Sequence, residues 1–255
     1  MIELDYEGAV ARLTLDRAGS RNALGLADWA ALAEAAAGLA TAPARVLLIR
    51  SAVPGTFCAG SDLKQLATLH DDEAARAPFR RAMRAALDGI ADLPMPTIAL
   101  VEGGAFGAGV ALAMACDMRI ASPTARFAIP PARFGILYPA IDVNRLTELV
   151  GAAQAMLLLT SGSAIGAEEA ARIGLVERVA ADAATAADQL AQAIAANAPS
   201  SVKLLKRMVT DFYPFIEADG DVSLGDRLFD NAFGSPECGE GMAALAEKRS
   251  PEFPG

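Results

Sequence analysis

The sequence predicts an α/β body followed by a helical C-terminal layer, and three observations carry that expectation. Short apolar runs at Val46 to Ile49, Ile98 to Val101 and Met118 to Ala121 alternate with Ala/Leu-rich stretches of helical spacing. That alternation is the pattern of parallel strands joined by crossover helices. After Leu175-Val-Glu-Arg-Val179 the strand-like runs stop and only helical patterns remain. Hydrophobic residues make up 53% of the 255 and aromatics only 5%, so the core is built from Ala, Leu, Val and Ile.

Taken in order, Ile2 to Glu7 and Val10 to Leu15 alternate around Gly8 and read as a hairpin. Asn22 to Ala40 has helical spacing and is closed by Pro43. Ile98 to Val101 breaks at glycines, and a small-residue helix begins near Gly107. Val143 to Val150 reads as a further helix, and the C-terminal helices are expected at Asp188 to Ala198, Ser200 to Phe212, Val222 to Phe233 and Glu237 to Lys248. The division expected is residues 1–195 as the α/β domain and 196–255 as a helical domain.

Composition narrows the function. A net charge of −9 argues against a non-specific nucleic-acid or anionic-membrane binder. No apolar run reaches the ~20 residues that span a bilayer, and Met1 to Asp5 has neither a basic region nor an apolar signal core. Cys58, Cys116 and Cys238 fit neither metal nor disulfide spacing, so no metal and a cytoplasmic setting are expected.

The most informative stretch is Val101-Glu-Gly-Gly-Ala-Phe-Gly-Ala-Gly-Val-Ala-Leu-Ala-Met-Ala-Cys-Asp117. Glycines at a strand-to-helix junction allow close approach to the backbone. The first N–H groups of a helix have no partner within it and suit an anion or a polarised oxygen.

Five segments in order over nearly the whole length resemble the crotonase (enoyl-CoA hydratase/isomerase) superfamily. They are Arg21-Asn-Ala-Leu24, Thr56-Phe-Cys-Ala-Gly-Ser-Asp-Leu-Lys64, Gly103 to Asp117, Gly162 to Val179 and Glu240 to Phe253. The resemblance implies a ββα spiral with a C-terminal trimerisation layer, and a homotrimer or dimer of trimers. It implies an acyl-CoA thioester as partner, with coenzyme A arriving as part of the substrate and no permanently bound cofactor. The oxyanion-hole N–H groups it implies are those of Ser61 and Ala108. Two such donors stabilise the enolate of a thioester. By the same matching, Ala59, Ser61 and Lys64 contact CoA, Arg21 assists at its phosphates, and Phe229 and Lys248 reach the CoA of a neighbouring subunit. Read without that frame, Arg21, Lys64 and Lys248 are solvated surface charges.

The two glutamates of a hydratase fall, by the resemblance, on Ala111 and Pro131. A third acidic position, used by dienoyl isomerases and aryl-CoA dehalogenases, falls on Pro139. None of the three transfers a proton. Each lost proton-transfer group costs about 10²–10⁴ in rate, so two cost roughly 10⁴–10⁸, and classical hydration is expected to be weak or absent. Tyr138 matches a tyrosine that positions the substrate carboxylate in methylmalonyl-CoA decarboxylases, or else lines the pocket with its hydroxyl satisfied. The alternatives are therefore a non-standard acid–base set, a malonyl-type decarboxylase, or a non-catalytic acyl-CoA carrier or sensor.

Other ionisable groups compete for the vacant roles. Asp142 either enters the pocket or caps the helix Val143 to Val150, and the cap is the expectation. His70 reads as a surface residue, Glu148 as facing either way, and Arg133 as a surface ion pair. Asp62 and Asp117 read as structural, and Cys58 and Cys116 as packing residues.

Overall fold

The computed structural model describes residues 2–211, 213–216, 218–219 and 222–253. Strands β1 (Ile2–Glu7) and β2 (Val10–Leu15) form the expected antiparallel hairpin. Helix α1 (Leu26–Leu39) starts later than its periodicity suggests. Asn22 is in the left-handed region at φ 57°. Its buried side chain donates to Ser51 Oγ at 2.7 Å and to the Phe57 carbonyl at 2.9 Å. A residue used in this way to pin two neighbouring strands cannot also begin a helix.

The chain then repeats one motif three times. Strand β3 (Val46–Ser51) leads to β4 (Thr56–Cys58) and to helices α2 (Leu63–Asp71) and α3 (Glu73–Ala91). Strand β5 (Thr97–Val101) leads to β6 (Gly104–Phe106) and α4 (Ala108–Ala115). Strand β7 (Met118–Ala121) leads to β8 (Arg126–Ala128) and α5 (Ala140–Ser161). Helix α5 is interrupted at Gly151, whose φ of 76° is not helical. Then come β9 (Ile165–Gly166), α6 (Ala167–Arg172), β10 (Arg178–Val179) and α7 (Ala183–Ala195).

Each turn contributes one strand to each of two sheets. The larger sheet has the order β1-β2-β3-β5-β7-β10 and is parallel from β2 onward; the smaller has the order β4-β6-β8-β9. Alternating residues bury both faces of the larger sheet: Leu47 and Ile49 join the main core, while Val46 and Leu48 meet α7. Helix α7 presents Ala183, Ala187, Ala191 and Ala195 at four-residue spacing, a flat stripe that lets it lie close to the sheet.

The C-terminal layer comprises α8 (Pro199–Thr210), α9 (Tyr213–Ile216), the short strands β11 (Ala218–Asp219) and β12 (Val222–Ser223), α10 (Leu224–Phe233) and α11 (Pro236–Glu247). The helix-only expectation fails here, because Val222 and Ser223 pair with β11 instead of opening a helix. Ser223 then caps α10, accepting from the Asp226 N–H. The expected helix end at Phe212 lies outside the described residues. Lys206 ties α8 to the body through Asp117 at 2.8 Å and the Met95 carbonyl at 3.0 Å.

Candidate active site

Two strand-to-helix junctions meet at one cavity of about 160 Å³. The first is the loop Ala59-Gly60-Ser61 between β4 and α2. Leu24 N–H donates to the Gly60 carbonyl at 2.8 Å and Asp62 N–H to the Leu24 carbonyl at 2.9 Å. This pairing skips the Ser61 N–H, which has no acceptor among the described residues. The second junction is Gly107-Ala108, where β6 enters α4. Ala108 is the first residue of α4, and its N–H likewise has no acceptor among the described residues.

Glycines let the two junctions touch. A Cβ on Gly60, at φ +98°, would stand 2.6 Å from the Phe106 carbonyl oxygen and 3.4 Å from the Ala108 nitrogen. A Cβ on Gly109 would stand 2.3 Å from the Cys58 carbonyl oxygen. Glycine at positions 60 and 109 permits this close approach of the two junctions.

Ala59, Ser61, Ala108, Ala111, Pro131, Tyr138, Pro139 and Asp142 all line this cavity. Most of the remaining wall is apolar, including Leu66, Phe79, Met83, Phe106 and Ile136. Arg21, Lys64, Phe229 and Lys248 lie outside its lining. Lys64 is exposed in the first turn of α2 and Arg21 is exposed in a left-handed turn; neither has a carboxylate partner among the described residues. Phe229 is exposed on α10, edge-on to Phe233 at 5.3 Å, and Lys248 closes α11 in the left-handed region.

Asp142 does not cap a helix. Helix α5 begins at Ala140 with Pro139 preceding it, which places Asp142 inside the first turn. Its side chain is fully buried. Oδ1 is held by Arg84 at 3.2 Å and Arg145 at 3.5 Å, while Oδ2 has no partner among the described residues. Both arginines also grip Asp88, at 2.6 and 3.1 Å, so the cluster balances two cations against two carboxylates. Burial pushes the Asp142 carboxyl above the ordinary range, against the opposing pull of Arg84 and Arg145. Arg84 and Asp88 carry no sequence motif. Their one signal is a four-residue spacing on α3, which any surface ion pair shares.

The Tyr138 hydroxyl donates to the Gly107 carbonyl at 3.1 Å. Burial, reinforced by the nearby Asp142 charge, raises its pKa, so the phenol keeps its proton. His70 is an exposed residue at the end of α2, beside Asp71. Glu148 is exposed and accepts from Asn144 at 2.7 Å. Arg133 makes no ion pair among the described residues and donates to the Ser161 carbonyl at 3.3 Å. Asp62 caps α2, and Asp117 accepts from the Thr97 N–H and hydroxyl, so both are structural. The Cys58 and Cys116 thiols are buried, and desolvation pushes both up to about 12, which favours the protonated thiol and fits packing residues.

A larger groove of about 900 Å³ lies between α8 and the body. Its walls include Lys206, paired with Asp117, and Arg119, whose ion-pair partner Glu177 lies outside the lining, and neither Ser61 nor Ala108 lines it. Among the described residues no group of three or more His, Cys, Asp or Glu gathers to hold a metal, and no helix is long and apolar enough to cross a membrane.

Known proteins agree with this architecture. The chain is 35% identical over 254 residues to the protein of Mycobacterium tuberculosis named probable enoyl-CoA hydratase echA8, covering 99% of this chain and 97% of that one. It is 35% identical to the mouse enoyl-CoA hydratase domain-containing protein 2, mitochondrial, covering 96% and 84%. The crystal structure of an enoyl-CoA hydratase from Bacillus anthracis superposes with a TM-score of 0.88 at 31% identity, covering 99% and 98%. The two-sheet spiral with C-terminal helices is thus the crotonase fold. The family model for enoyl-CoA hydratase/isomerase matches residues 5–255, and the chain belongs to that family.

Proposed function

We propose that the protein binds an acyl-CoA thioester with its carbonyl oxygen between the Ser61 and Ala108 N–H groups, and that Asp142 moves the proton at the adjacent carbon. The observation that carries this reading is that Asp142, whose buried Oδ2 has no partner among the described residues, lines the same cavity as two backbone N–H groups that likewise have none there. The N–H pair stabilises negative charge on the thioester oxygen as the enolate forms. Asp142 supplies a base at an elevated pKa, closer to neutral pH than an ordinary aspartate.

One carboxylate restricts the reaction. Adding water to an enoyl thioester needs a base for the water and an acid for the α-carbon. By the family resemblance, the positions that hold those groups in hydratases fall on Ala111 and Pro131, and the third acidic position falls on Pro139. A single carboxylate suffices to take a proton from one carbon and return it to another. The reaction favoured is therefore double-bond migration in an enoyl-CoA, through a dienolate held by Ser61 and Ala108. Decarboxylation of a malonyl-type thioester is disfavoured, since Asp142 would repel the substrate carboxylate and the Tyr138 hydroxyl is already committed to Gly107.

Lys64 and Arg21 supply cations for the CoA phosphates. The protein assembles as a homotrimer or a dimer of trimers, with Phe229 and Lys248 reaching a neighbour's CoA. Exposed Leu205, Val209, Phe229, Phe233 and Leu245 on the C-terminal helices give such an assembly an apolar face.

The test is turnover against 3-enoyl-, crotonyl- and methylmalonyl-CoA, with calorimetric binding of butyryl-CoA alongside. Isomerisation of the 3-enoyl substrate that Asp142→Asn abolishes supports the reading. Crotonyl hydration at ordinary enzyme rates overturns it. Tight binding with no turnover makes the protein a carrier or sensor.

A further inference from the structure

The Gly107–Ala108 peptide is held in an orientation that only glycine accommodates. Gly107 has φ 50° and ψ −114°, outside the regions open to residues with a Cβ. Its N–H is anchored by the Ala128 carbonyl at 2.8 Å. Its carbonyl accepts three donors: Val110 N–H at 2.9 Å, Ala111 N–H at 3.2 Å and Tyr138 Oη at 3.1 Å. Two of these belong to the first turn of α4 and would form in any helix. The third comes from 31 residues away, across the cavity.

The peptide is trans, so its N–H points opposite to its C=O. Whatever fixes the Gly107 carbonyl also fixes the direction of the Ala108 N–H. Hydrogen bonds accepted by a carbonyl also polarise the amide and make its N–H a stronger donor.

We infer that Tyr138 is a positioning residue of the oxyanion hole: by donating to the Gly107 carbonyl it aims and strengthens the Ala108 N–H on the opposite side of the same peptide. This inference rests on the thioester site proposed above. It gives Tyr138 a role without substrate contact, distinct from binding a substrate carboxylate.

The magnitude follows from comparison with outright loss of a donor. Deleting one oxyanion-hole donor costs about 10²–10³ in kcat. Tyr138→Phe keeps the Ala108 N–H and removes only its brace, so kcat should fall by roughly 3–30-fold with KM nearly unchanged. Infrared spectroscopy reads the hole directly, using butyryl-CoA labelled with ¹³C at the thioester carbonyl. This probe has no carboxylate, so a carboxylate-binding role for Tyr138 would not register. In the wild type the bound carbonyl stretch should lie below that of free butyryl-CoA. Tyr138→Phe should bring it part of the way back. Placing 3-fluorotyrosine at position 138 retains shape and fold while making the hydroxyl a stronger donor, and should lower the stretch further. If both replacements leave the wild-type stretch unchanged, Tyr138 does not brace the hole. If the wild-type stretch equals that of free butyryl-CoA, the thioester site itself fails, and this role with it.

Discussion

Replacing Asp142 with Asn separates a catalytic from a structural carboxylate, because the two roles predict opposite changes in stability. The substitution preserves shape and volume and removes one charge. In the folded protein the Asp142 carboxyl titrates above its ordinary value, burial outweighing Arg84 and Arg145. A carboxylate with a raised folded pKa opposes folding once it ionises. The stability associated with its protonated form is present at low pH and is lost as pH rises from the unfolded value through the folded one. At neutral pH the Asp142→Asn change therefore removes an unfavourable buried charge. Arg84 and Arg145 keep Asp88 as a partner, and both retain some exposure to solvent, so neither becomes a stranded buried charge. The expectation is an unchanged or raised Tm together with a loss of about 10²–10⁴ in kcat. Were Asp142 a structural ion-pair member, its loss would cost about 3–5 kcal/mol, a fall on the order of 6–20 °C for a chain of this size. Calorimetry and 3-enoyl-CoA isomerisation on the same preparation decide the matter. A variant that melts several degrees lower and retains activity within about threefold would make Asp142 a structural carboxylate.

Three other outcomes follow from the same geometry. The acid limb of kcat/KM should lie above the ordinary aspartate range, since the ionised base is lost as pH falls through its raised pKa, and Arg84→Met should move that limb higher by removing a cation that lowers it; coincident limbs in the two proteins would contradict this assignment. Gly109→Ala forces a Cβ to 2.3 Å from the Cys58 carbonyl oxygen and should cost at least ~1–3 kcal/mol in urea denaturation, together with most activity, whereas Gly135→Ala, with open space around it, tests mainly its left-handed φ of 69°. Lys64→Glu should raise KM for CoA substrates by about tenfold with kcat unchanged, and the difference should shrink between low and high salt, as expected for an exposed charge.

The sequence is legible where function depends on backbone. Glycines around Ala108 mark that junction as a place of close backbone approach, whereas Ser61 is reached only through the family resemblance, although Gly60 beside it has a left-handed φ. Parallel strands of four to six residues in the larger sheet also announce themselves by apolar runs. Strands β4, β6 and β8 have only three residues each, too short to show a period, so the second sheet emerges only from the family resemblance. Asp142 is hidden for a different reason. An aspartate three residues after a proline, near a helix start, looks like a cap, and what makes it otherwise is Arg84, 58 residues earlier on another helix. Tyr138 is visible as a pocket residue, but its partner is a carbonyl, and no side-chain pattern records that.

Hydrogen–deuterium exchange at the α-carbon of butyryl-CoA isolates the thioester site and its base from every later step. This saturated thioester has no double bond to hydrate or move and no carboxylate to lose. Exchange reports only enolate stabilisation and one working base. Proton NMR in D₂O should show deuterium entering the α-position with the wild type, more slowly with Tyr138→Phe, and not at all with Asp142→Asn. Exchange that persists in Asp142→Asn, or a wild type that binds butyryl-CoA without exchanging it, would exclude Asp142 as the base.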